Sequence, residues 1–138
     1  MTKEMKIINE LYYWKEKLKV PFFVLNFDNQ TKASAYVIKN KSGIKLALNM
    51  KMIKEYSALD VISIIFHEFG HILYTLDKDY SELKAEVVAE KYSLKNIKKY
   101  CSSKDYKDYF RKMKDSVNKN LWKKSSPIHQ RAFEMIYK

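Results

Sequence analysis

Ser57–Leu76 reads SALDVISIIFHEFGHILYTL and contains His67-Glu68-Phe69-Gly70-His71, an H-E-x-x-H pattern. Ser57 followed three residues later by Asp60 resembles a capping box, a helix start signal. Val61, Ile62, Ile64, Ile65, Phe66, Phe69, Ile72 and Leu73 make the segment apolar on most sides. The expectation is a largely buried helix over 58–76. On a helix, residues i and i+4 share a face. His67 and His71 can therefore present two imidazoles to one Zn²⁺. Glu68, beside the first, can reach a water there without ligating the ion, which is the placement of a general base. Two histidines and a glutamate inside an apolar helix are costly unless something satisfies them. Gly70 costs a helix about 1 kcal/mol relative to Ala. Its presence points to close approach by the backbone of a neighbouring element.

On either side of this helix the chain divides into short elements. Residues 3–19 have Met5, Ile8, Leu11, Tyr12 and Leu18 at roughly helical spacing, and Pro21 ends that helix. Residues 22–27 (FFVLNF) read as a buried strand, and Asp28-Asn29-Gln30 as a turn. Residues 33–39 and 44–49 read as strands joined by the hairpin signal Asn40-Lys41-Ser42-Gly43. Ile44, Leu46 and Leu48 alternate with Lys45 and Ala47, which predicts one buried face. A short helical or turn segment over 50–56 leads into the H-E-x-x-H helix. Ser81 caps a further helix over about 82–99. A basic helix over 105–121 carries Tyr106, Tyr109, Phe110, Met113 and Val117 on one side. Ser125-Ser126-Pro127 opens a last helix. This order, helix then small sheet then helices, is that of an α+β domain.

With 138 residues, 46% of them hydrophobic, the chain fits one domain with a real core. Its apolar runs are too short for a membrane span, and the first residues lack the pattern of a secretory signal. Cys101 is the only cysteine, which excludes a disulfide framework and fits a reducing cytoplasm. The net charge of +11 is uneven. Residues 91–138 hold 14 Lys and Arg against 4 Asp and Glu, whereas residues 1–90 hold 13 Lys against 12 Asp and Glu. A basic C-terminal third suits contact with nucleic acid or with a DNA-associated partner. A lysine-rich solvated surface is the plainer reading of the same charge, because arginine, the better base and phosphate reader, is scarce here.

Two histidines leave a catalytic zinc one protein ligand short. Glu82, Glu86 and Glu90 follow on the next helix at i, i+4 and i+8, a stripe of acids that would repel itself on a bare surface. Residues 86–94, Glu-Val-Val-Ala-Glu-Lys-Tyr-Ser-Leu, resemble the second signature of gluzincin metallopeptidases: a glutamate ligand, alanine three on, an acid four on, then an aromatic and a small residue. The chain most resembles the ImmA/IrrE-like peptidases of phages and mobile elements, over roughly residues 20–95. The resemblance implies a zincin-like minimal core: a small antiparallel or mixed sheet, the H-E-x-x-H helix and a glutamate helix. The basic helical part from about 96 to 138 lies outside it. The resemblance makes Glu86 the third Zn²⁺ ligand and Glu90 an outer acid that orients a ligating histidine. Glu82, Ala85, Glu86 and Ala89 repeat the same spacing without the aromatic, so Glu82 stays open as the alternative ligand, and Glu90 as a direct ligand stays open behind it. The second acid is Glu in both registers, where the group usually has Asp or Asn.

The function this implies is zinc-dependent hydrolysis of peptide bonds in a protein substrate, such as a regulator of a phage or mobile element. Glu68 serves as base, and the substrate lies along an edge strand, either 33–39 or 44–49. His129, the one other histidine, Tyr74, one turn after His71, and Arg131 are candidates to stabilise the oxyanion. An exposed C-terminal histidine without a role, and a tyrosine packed in the core, are the plainer readings of the first two. The competing class is a catalytically inactive, zinc-containing module that binds nucleic acid or protein.

Overall fold

The computed structural model describes all of residues 1–138, in the order α1 (Lys3–Lys17), β1 (Val24–Phe27), β2 (Ala35–Asn40), β3 (Gly43–Leu48), α2 (Met50–Ile53), α3 (Ala58–Tyr74), α4 (Glu82–Tyr100), α5 (Ser103–Asn118) and α6 (Pro127–Tyr137). It is an α+β fold of six helices and one mixed three-stranded sheet. No helix is long and apolar enough to cross a membrane.

Side-chain caps start most of the helices. Thr2, Asn49, Ser57, Ser81 and Ser102 each accept a hydrogen bond from the backbone N–H three residues on, satisfying a donor that the first helical turn leaves free. The Ser102 cap starts α5 two residues ahead of the expected position. Of the expected stripe on α1, Leu11 is buried and Ile8 and Leu18 pack against the core, but Met5 and Tyr12 are exposed, and Ile7 and Trp14 are buried in their place. The reason is Trp14. Its ring meets Phe66 of α3 edge-on and Tyr100 of α4 at a tilt, both at 5.0 Å between centroids. So α1 backs the two helices that carry His67, His71, Glu86 and Glu90.

The sheet order is β1-β3-β2, with β1 parallel and β2 antiparallel to β3. The expected hairpin is present, and Gly43 at its end has φ +119°, which an L side chain rarely adopts. Because β3 is central, Ala47 is buried along with Leu46 and Leu48, so the expected single buried face is too simple. The same order corrects the expectation that 44–49 could be a free edge: β3 is paired on both sides. Residues 22–27 do not form a buried strand. Strand β1 begins at Val24 and lies at an edge, with Phe22, Val24 and Phe27 all exposed. Phe23 turns inward, against Tyr12 and Phe69, and Leu25 is half-buried against the core. Asn49 ends β3; its side chain caps α2 and donates to the Thr31 carbonyl at 2.9 Å, tying the β1–β2 loop to the sheet.

Helices α3 and α4 pack closely because their facing residues are small. Ser93 Oγ donates to the Ser63 carbonyl at 3.1 Å. A Cβ on Gly70 would stand 2.9 Å from Ala89 Cα and 3.0 Å from its carbonyl oxygen. Both are backbone atoms, so the space can open only if one helix moves. Gly70→Ala should therefore destabilise the protein by about 1–3 kcal/mol through overpacking, although Ala is the better helix former by about 1 kcal/mol. Urea unfolding decides the sign, and a gain in stability would show that the two helices can separate freely.

Candidate metal centre

Helix α3 sets His67 and His71 one turn apart, with ring centroids 5.0 Å from each other. Across the close helix contact stands Glu86 of α4. Its two carboxylate oxygens divide between the rings: Oε2 lies 2.8 Å from His67 Nε2, and Oε1 lies 3.0 Å from His71 Nε2. The outer ring nitrogens are held as well. His67 Nδ1 is 2.8 Å from Glu90 Oε1, and His71 Nδ1 is 2.9 Å from Thr75 Oγ1. Both Nε2 atoms are thereby fixed toward the middle of the cluster. Thr75 Oγ1 in turn donates to the His71 carbonyl at 3.1 Å, which fixes the direction of its own lone pairs.

Glu90 is buried, and its second oxygen is supplied from the C-terminal helices. Tyr109 of α5 donates to Glu90 Oε2 at 2.9 Å, and Tyr137 of α6 donates to the same atom. Burial raises the pKa of both phenols, and the neighbouring Glu90 raises it further. Both therefore remain protonated donors. Sequence reasoning put Tyr109 in a core stripe and passed over Tyr137. The available signal was chemical: a buried Tyr O–H needs an acceptor, and a buried carboxylate needs donors.

The third histidine also reaches the cluster. His129 of α6 brings Nε2 to 3.0 Å from Glu86 Oε2, the oxygen that faces His67. Its Nδ1 is hydrogen-bonded to Ser126 Oγ. His129 is therefore half-buried against the cluster rather than exposed at the C-terminal end. Glu82 is exposed in the first turn of α4, outside the cluster. Tyr74 is half exposed, its ring against Tyr92 at 5.4 Å, and has no hydrogen bond to the histidines. Arg131 is exposed beside Glu134 and Leu83 on the outer surface.

Glu68 is buried, and its Oε2 has no hydrogen-bond partner. Desolvation raises its pKa, with His67 and His71 pulling the other way. Burial alone would lower the pKa of His67, yet Glu86 and Glu90 outweigh that and hold it well above its ordinary value. Glu86 shows the converse: burial would raise it, but His129, His67 and His71 hold it well below the usual carboxylate range. Ligand atoms lie within 4.8 Å of one another in two sets, His67–Glu68–His71 and His67–Glu86–His129. Imidazole nitrogens and carboxylate oxygens at this spacing, with their outer atoms already bonded, suit a divalent cation such as Zn²⁺. The residues fit that ion on the chemistry of the donors and on the unpartnered Glu68 oxygen beside them.

No protein-family model, no curated protein and no solved structure matches this chain.

The Glu90 network makes a prediction that needs no metal. Tyr137→Phe removes a hydrogen bond to a buried charged group and should lower unfolding free energy by about 1.5–3 kcal/mol. Tyr74→Phe, on a half-exposed ring, should stay within about 0.5 kcal/mol of wild type. Equal denaturation midpoints for the two variants would mean that the Tyr137 hydroxyl does not support Glu90.

Proposed function

We propose that this chain is a zinc-dependent peptidase, built on a reduced zincin-like core and resembling the ImmA/IrrE-like gluzincins. One observation carries the reading. His67 and His71 aim their inner nitrogens at the two oxygens of Glu86, while beside them Glu68 keeps a buried carboxylate oxygen without a partner. His67, His71 and Glu86 would hold the ion, and Zn²⁺ held there would supply a Lewis acid and lower the pKa of water.

The chain's own groups account for the rest. Glu68 accepts a proton from the attacking water and returns it to the leaving amine. Glu90 and Thr75 hold the histidine rings in one orientation, and Tyr109 and Tyr137 hold Glu90. Strand β2 is the sheet edge that packs beside α3, and Lys39 at its end pairs with Asp77 just past that helix. An extended polypeptide would add to this edge by backbone hydrogen bonds. The substrate class is then a protein, and the basic C-terminal third favours one associated with DNA. A regulator of a phage or mobile element fits the resemblance.

The test is metal content by mass spectrometry, together with hydrolysis of a general protein substrate such as casein. Zinc should be retained by wild type and Glu82→Gln and lost from Glu86→Gln. Glu68→Gln should keep its zinc and cleave about 10²–10⁴-fold more slowly. Absence of bound metal after zinc is supplied removes the reading. Bound zinc with no Glu68-dependent hydrolysis favours an inactive binding module instead.

A further inference from the structure

Catalytic zinc sites keep one coordination position open, whereas sites with four protein ligands are closed. The cluster here contains a fourth donor. His129 Nε2 meets the same Glu86 oxygen as His67 Nε2, at 3.0 Å against 2.8 Å. It therefore points into the ligand set rather than at its rim. His67, Glu86 and His129 also have ligand atoms mutually within 4.8 Å.

The ring is held as the other two histidines are. Each has its Nε2 on Glu86 and its Nδ1 on an oxygen: Glu90 for His67, Thr75 for His71 and Ser126 for His129. Trp122 and Phe133 pack against the His129 ring at 6.2 and 5.5 Å between centroids. Ser126 gives up a local role to do this. It stands at the N-cap of α6, but its hydroxyl makes no cap hydrogen bond, unlike Ser57, Ser81 and Ser102. A serine hydroxyl left out of the cap weakens the start of a helix, so the hydroxyl serves the histidine at the expense of the helix end. The His129 side chain is also the most open of the four donors, at 34% exposure against 11% for His67, 14% for His71 and 17% for Glu86. It is the donor that can leave without breaking the α3–α4 contact.

We propose that His129 is a fourth, detachable metal ligand that closes the centre at rest and yields its position when a polypeptide substrate enters. This rests on the metal-peptidase reading above. It gives Glu68 a place in a centre that is otherwise complete: the base acts only once His129 has left.

The experiment compares zinc-loaded wild type with His129→Ala and Ser126→Ala. X-ray absorption at the zinc edge should count three imidazoles in wild type, one for each histidine of the chain, and one fewer in His129→Ala. Competition with a chromophoric chelator should show zinc held about 10–100-fold more weakly in Ser126→Ala, as for loss of an outer partner, and more weakly still in His129→Ala. Casein hydrolysis should rise several-fold in His129→Ala. Two imidazoles in wild type, with zinc affinity unchanged in both variants, would overturn the ligand assignment. A fall in hydrolysis in His129→Ala would overturn the closing role and make His129 a donor to the substrate. A wild type that binds no zinc would remove the peptidase reading itself, an outcome distinct from either.

Discussion

The contact between Gly70 and Ala89 governs the rest of the molecule. Interaxial distance depends on the side chains at the crossing, and here one partner has no side chain and the other a single methyl. Only at that separation can the Glu86 carboxylate span the rings of His67 and His71, one oxygen to each. The same contact sets the rotation of α4 about its axis. It turns Glu86 and Glu90 inward and leaves Glu82, one turn earlier, in solvent. The stripe of three acids is thus divided by geometry into one carboxylate between the rings, one behind them and one outside.

A polar cluster inside an apolar helix pair is tolerable only if its members satisfy one another. From His67 the bonding runs outward through Glu90 to Tyr109 and Tyr137, which draws on four helices. The C-terminal helices therefore do more than carry charge. Their outer surfaces hold the lysines, while their inner faces supply two donors to Glu90 and one imidazole to Glu86. The N-terminal helix contributes from the opposite side, where Trp14 braces Phe66 and Tyr100.

What could be read from the sequence was local. The i, i+4 spacing placed both histidines on one helix face. Ser57 and Ser81 marked helix starts, and the Asn40–Gly43 hairpin signal located the turn. The relation between helices was not readable in the same way. Glu82 and Glu86 have the same periodicity, and only the depth and phase of the α3–α4 packing separates them. His129 and Tyr137 lie tens of residues beyond the motif, so no spacing rule links them to it. Strand β1 failed for a related reason. An apolar aromatic run reads as buried, but whether a second layer covers it is decided by sheet order, and here β1 is an edge.

The two buried carboxylates of the centre differ in one respect that bears on what it is for. Glu90 has every need met, since both oxygens accept hydrogen bonds. Glu68, on the same helix as the histidines, is equally enclosed yet has an oxygen that accepts none. An unsatisfied buried acceptor costs roughly 1–3 kcal/mol, and more when the group is charged. A site whose only task was to hold helices together would be better served by an apolar side chain at this position. The neighbouring helices could have supplied a donor, as they do for Glu90, and they do not. An acceptor kept open beside three imidazoles suits a proton that arrives with the reactants.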